Sequence, residues 1–193
     1  MKRFFRAAMM TLVALTFMTS VSMASQGGII FDGDVGFSML SGDAYENADG
    51  DGITMIGLGA SVGYFVIDNL TVGGTLVFDH MSMGDVSERT IGIGPEVAYY
   101  FGTEWIEKSV HPFVKGAFIY NMVSSDDGTD DFSDTVMSFG AGAGALYMFT
   151  ESLGFYGQVG FMMDKWSFDD DRNADDLDGT EIMVSIGIVG MKW

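Results

Sequence analysis

Eight segments of the chain alternate apolar residues with small or polar ones at a period of two. In "ITMIGLGASVGYF", Ile56, Leu58, Ala60, Val62 and Tyr64 share one parity, and Gly57, Gly59, Ser61 and Gly63 share the other. That period belongs to β-strands, and its repetition with turn signals between segments predicts an antiparallel sheet. The segments run about ten to twelve residues, longer than the five or six usual in soluble sheets. This is the length a tilted strand needs to cross a bilayer. A soluble sandwich would turn its second parity to water. Here that parity is mostly Gly, Ala, Ser and Thr, which suits a narrow, crowded lumen.

The other segments follow the same rule. Phe31, Val35, Phe37 and Met39 are expected outward, with Asp32, Asp34 and Ser38 inward. Val72, Leu76, Ile91, Ile93, Val97, Val114 and Phe118 point out, while Thr71, Thr75, Glu96, Lys115 and Asn121 point in. Phe139, Phe155, Val159 and Phe161 face out against the inward Gly140, Gly142, Gly144, Tyr156 and Gln158. The connections alternate in length. Ser41–Gly52, His80–Arg89, Val123–Asp134 and Ser167–Gly179 are long, and Val66–Asn69 and Thr150–Ser152 are short. Outer-membrane barrels have this asymmetry. Aromatic residues gather near both ends of the segments: Tyr64, Phe65, Tyr99, Tyr100, Phe101, Tyr147, Phe149, Phe155 and Trp193 at one, Phe37, Phe78, Tyr120, Phe139, Trp166 and Phe168 at the other. Two such girdles mark two membrane interfaces. The predicted fold is all-β: an eight-stranded antiparallel up-and-down transmembrane β-barrel.

The last segment, "EIMVSIGIVGMKW", is apolar on both parities. Val189, Met191 and Trp193 are read as outward and Lys192 as inward. The upper half has two readings. Without a bulge, Ile182, Val184 and Ile186 fill the lumen, and Ser185 and Gly187 face lipid; this is the reading adopted. A β-bulge at Ile188–Val189 would turn the three outward instead.

The chain opens with Lys2, Arg3 and Arg6, then an apolar run to Val21 and the small residues of Ser22-Met23-Ala24. That pattern predicts a secretory signal peptide over 1–24, leaving one barrel domain over 25–193. Losing the three basic residues takes the net charge from −18 to −21. Such acidity speaks against nucleic acid as a partner, and against adhesion to bare anionic lipid. There is no cysteine, which rules out disulfides and thiolate-ligated metals.

The stretches "GYFVIDNLTVGGTL" (Gly63–Leu76) and "GIGPEVAYYFG" (Gly92–Gly102), with the aromatic-ended last strand, resemble the small outer-membrane β-barrel domain family, the OmpX-like and OmpA-barrel-like proteins of Gram-negative bacteria. The resemblance covers everything after the signal peptide. It implies a bacterial outer-membrane location and insertion by the assembly machinery, which reads a C-terminal strand ending in an aromatic. Val189, Met191 and Trp193 would carry that signal.

Three places could hold chemistry. The long connections carry most of the acids. Asn47, Asp49 and Asp51 resemble the start of a calcium loop, but Leu58 stands where its bidentate acid is needed. They and Asp169, Asp170, Asp171 and Asp175 are candidates for weak Ca or Mg binding that bridges to lipopolysaccharide; a solvated surface is the plainer reading. His80-x-Ser82 beside acids has the residue types of a Ser–His–acid hydrolase, against the plainer reading of a junction histidine. Glu96, Lys115, Asp32 and Asp34 project into the lumen, where buried charges need partners. If Phe101 pairs with Val110, Glu96 lies opposite Lys115. A slip of two residues would put Lys115 beside Ala98 or Gly94 and leave Asp32 or Asp34 as its partner. The function expected is a non-enzymatic, cofactor-free, monomeric outer-membrane barrel with a structural or surface-interaction role and acidic external loops. Its partners are outer-membrane lipids and lipopolysaccharide. The alternatives are a narrow small-solute channel and a lipid A-modifying hydrolase.

Overall fold

The computed structural model describes residues 26–41, 53–83, 86–101, 109–126, 131–167 and 177–192. Eight strands follow one another: β1 (Ile29–Ser41), β2 (Ile53–Ile67), β3 (Leu70–Met83), β4 (Val86–Tyr100), β5 (Val110–Asp126), β6 (Asp131–Met148), β7 (Leu153–Ser167) and β8 (Leu177–Lys192). Each pairs antiparallel with the next, and β8 returns to β1 to close the barrel. Closure leaves no open edge, which the hydrocarbon interior demands of any β structure.

The register sets the tilt. Starting from Ile29, successive partners are Tyr64, Val72, Val97, Gly116, Ala141, Phe161, Ile182 and then Met39 on β1. One circuit therefore climbs ten residues, from 29 to 39, and so tilts every strand strongly against the barrel axis. Every residue on that contour belongs to the outward parity, so the alternation keeps one phase through all eight strands.

Outward residues form the apolar belt: Ile56, Leu76, Ile93 and Ile186 are 54–70% exposed. The strands are 13 to 18 residues long, longer than the alternation predicts. Two expected long loops are largely strand. Pairing runs to Met83↔Val86 and to Asp126↔Asp131. Beyond the bilayer both faces of a strand meet water, so the apolar alternation stops while the backbone ladder continues. At the opposite end the turns are tight. Asn69 takes a left-handed φ of 66°, which Asn tolerates better than most residues. The Thr150 hydroxyl accepts from the backbone N–H of Ser152 and of Leu153.

β8 differs from its reading. Its pairing with β1 and β7 is uninterrupted, so there is no bulge. Ile182, Val184, Ile186 and Ile188 face outward, while Ser185, Val189 and Met191 are 1–2% exposed in the lumen. Lys192 is exposed, not inward. The neighbours decide the choice. Tyr156 lies over Gly187, where an added Cβ would sit 2.6 Å from its ring. Gln158 donates to Ser185 Oγ at 2.7 Å. Only small residues fit there, and the branched ones go to lipid. Val189 and Met191 thus form no outward set, and Trp193 lies outside the described residues.

The lumen's terminal end is packed. Ile30, Phe65, Tyr100, Phe113, Leu146, Met148, Tyr156, Val189 and Met191 form one buried cluster. Four rings chain across it: Phe65–Tyr100 at 6.0 Å, Tyr100–Phe113 at 5.6 Å and Phe113–Tyr156 at 5.9 Å between centroids. Phe65 and Tyr100 therefore belong to this plug, not to the girdle. Trp166 likewise lines the lumen. Tyr64, Tyr99, Phe101, Phe149 and Phe155 do face outward at this end, with Tyr99 and Phe101 stacked edge to face at 5.0 Å.

Candidate functional site

Directly above the plug sits a charged layer built by β1, β4, β5 and β7. Phe101 N–H donates to Pro112 O at 2.7 Å, and Tyr100 pairs with Phe113. This register is two residues from the expected one. It puts Lys115 beside Ala98 and Glu96 beside Ala117. The two charges nevertheless meet on the diagonal, with Lys115 Nζ 3.2 Å from Glu96 Oε2. A diagonal neighbour is within reach of a long side chain, and the four-carbon stem of Lys115 spans the step. Both side chains are more than four-fifths buried. Lys115 also feels the charges of Asp32 and Asp34.

Asp34 has glycine on both sides, Gly59 on β2 and Gly187 on β8. The gap over Gly187 admits the Tyr156 phenol. Its hydroxyl lies 3.0 Å from Asp32 Oδ1 and 2.7 Å from Asp34 Oδ2, sharing one proton between two carboxylates. Ser61 Oγ also donates to Asp32. Asp32, Asp34, Glu96 and Lys115 thus form one buried network. Tyr156 is the member that parity placed inward only as filler. Its lumenal glycine neighbours signal space for a large residue but do not name the residue.

Three acids at the edges of the long connections, Asp79, Asp164 and Glu181, are lumenal strand residues. Asp79 reaches over Gly57, Glu181 accepts from Ser38 Oγ, and Asp164 is 2% exposed. The divalent-cation candidates Asn47, Asp49, Asp51, Asp169, Asp170, Asp171 and Asp175 lie outside the described residues. Among the described residues no three metal-ligating side chains converge. His80 is exposed, and its Nδ1 lies 3.2 Å from the Glu88 carbonyl oxygen. Nothing is described of the Ser82 side chain. The network can lock the barrel wall, tying β1, β2, β4, β5 and β7 together across the lumen.

The chain matches the outer membrane protein beta-barrel domain family over residues 9–188. No curated protein matches it. Its fold is similar to the crystal structure of Neisserial surface protein A, at 16% identity and a TM-score of 0.64, over 86% of this chain and 99% of that one. It is similar to the N-terminal β-barrel domain of Pseudomonas aeruginosa OprF, at 16% identity and a TM-score of 0.51, over 86% and 98%. Ail, the attachment invasion locus protein of Yersinia pestis, in complex with a heparin analogue, is similar at 12% identity and a TM-score of 0.50, over 85% and 99%.

Proposed function

The chain belongs to the outer membrane protein beta-barrel domain family, and from that membership we propose a non-enzymatic barrel whose work in the bacterial outer membrane is structural and interactive. It fills and stiffens the membrane and presents acidic connections at the cell surface. The observation that carries this reading is the filled lumen. Four aromatic rings and the Lys115–Glu96 pair occupy the space a solute would need. An eight-stranded barrel is just wide enough for side chains to fill or for one small ligand, which leaves no open path through it.

Planar-bilayer recording tests the reading against a channel. The refolded protein should add no steady conductance steps, and a reproducible open level would overturn the proposal. A strain lacking the protein should become sensitive to detergent, and a copy carrying His80→Ala should restore resistance fully. Lipid A whose acylation depends on His80 would instead make the barrel a hydrolase.

A further inference from the structure

On the loop side of Lys115–Glu96 the lumen opens into a cavity of about 130 Å³ that reaches the outer ends of the strands. Its lining is strongly acidic. Asp34, Asp79, Glu88, Asp164 and Glu181 all contribute; Asp79 feels the charge of Glu181, and Glu181 that of Asp164. Lys115 is the single basic residue of the lining among the described residues, and it faces Glu96. Excess buried negative charge calls for a positive partner. A second observation is independent of charge. Gln158 lines the same cavity and is 4% exposed. Its amide N–H donates to Ser185, and its carbonyl Oε1 accepts no hydrogen bond. An orphaned buried acceptor is costly, and a donor entering the cavity would satisfy it.

We propose that this cavity binds a small organic cation carrying primary ammonium groups, of the short aliphatic diamine type. The volume suits it, because a cavity of about 150 Å³ takes up a molecule the size of benzene. A bare metal ion suits it less, because no three ligating side chains converge among the described residues. Ammonium N–H donors, three to a head, can reach acceptors that stand apart. Between the acids of the outer layer and Gln158 the wall is Met162, Met183 and Ile119, which suits a methylene chain.

The test uses the full barrel refolded in detergent with methyl-labelled methionines. It is titrated with 1,4-diaminobutane, with 1,4-butanediol and with magnesium at matched ionic strength. The diamine alone should give saturable shifts of the Met162 and Met183 methyls, while the outward Met122 and Met137 stay still. Glu181→Gln and Asp79→Asn should each weaken binding roughly tenfold, since each removes a charge-assisted hydrogen bond. Gln158→Leu should weaken it as well. Heat-modifiable gel mobility reports whether each variant is folded, and the wild-type titration decides the matter where one is not. The absence of saturable shifts, equal shifts with the diol or with magnesium, or unchanged affinity in folded Glu181→Gln and Asp79→Asn would overturn the proposal.

Discussion

Lys115 and Glu96 show how a single contact can survive a change of register. Both were placed in the lumen by parity alone, and that part was legible. Their offset was not, because it depends on where the chain re-enters the sheet at Ser109, which no local pattern encodes. The contact survives because a lysine stem tolerates a two-residue offset. With both side chains mostly buried, removing one partner strands the other, at about 3–5 kcal/mol. Lys115→Met should therefore destabilise the folded barrel strongly, and adding Glu96→Leu should recover much of the loss. Urea unfolding in detergent of both single variants and the double variant measures this, and strictly additive losses would refute the pairing. Tyr156 makes a sharper case. It lies more than 120 residues from Asp32 and Asp34 in sequence, so nothing local announces the contact. Tyr156→Phe leaves two neighbouring carboxylates without their shared donor, and should cost about 1.5–3 kcal/mol in the same assay. A variant as stable as the wild type would mean that water replaces the hydroxyl.

At the scale of the strand, seven of the eight carried their orientation in their own composition. Large apolar residues on one parity and small ones on the other leave a single choice of face. β8 lacks that contrast, since Ile182, Val184, Ile186 and Ile188 alternate with Met183, Ser185, Gly187 and Val189. Its phase is set from outside, by Tyr156 over Gly187 and Gln158 against Ser185. A slip of one residue would reverse both faces and drive Ile186 and Ile188 into filled space. The same logic explains the two long connections that are largely strand: alternation reports the bilayer, not the strand, so β3 to β6 continue where the pattern ends. The orientation of β8 is testable at Ile186, which is 70% exposed. A lysine on the lipid face near mid-membrane costs about 2–4 kcal/mol. Ile186→Lys should lower folding stability in lipid vesicles by that order, while Lys192→Met, at the membrane edge, should change it little. An undiminished Ile186→Lys barrel would place that residue in the lumen after all.

Across the whole molecule, charge is graded along the axis. The terminal end of the lumen is aromatic and neutral, the middle holds three acids gathered around Lys115 and the Tyr156 hydroxyl, and the outer half is acidic. The sequence adds further acids in the connections beyond the strands: Asp49 and Asp51 in one, and Asp169, Asp170, Asp171 and Asp175 in another. Carboxylates this dense repel one another, and the repulsion strains any compact arrangement of the ends. A divalent cation shared between them would relieve it. Weak sites of this kind bind calcium with dissociation constants of about 10⁻⁴–10⁻³ M. With such sites, a few millimolar calcium should contribute about 1–2 kcal/mol to the folded state by mass action. That raises the thermal midpoint of a chain this size by roughly 3–6 °C. Asp169→Asn, Asp170→Asn and Asp171→Asn together should blunt the rise, whereas Asp79→Asn should leave it intact, because Asp79 is a lumenal residue of β3. A midpoint that ignores calcium would reduce the connections to a solvated, self-repelling surface. A rise lost in Asp79→Asn but kept in the triple variant would move the cation from the connections into the barrel.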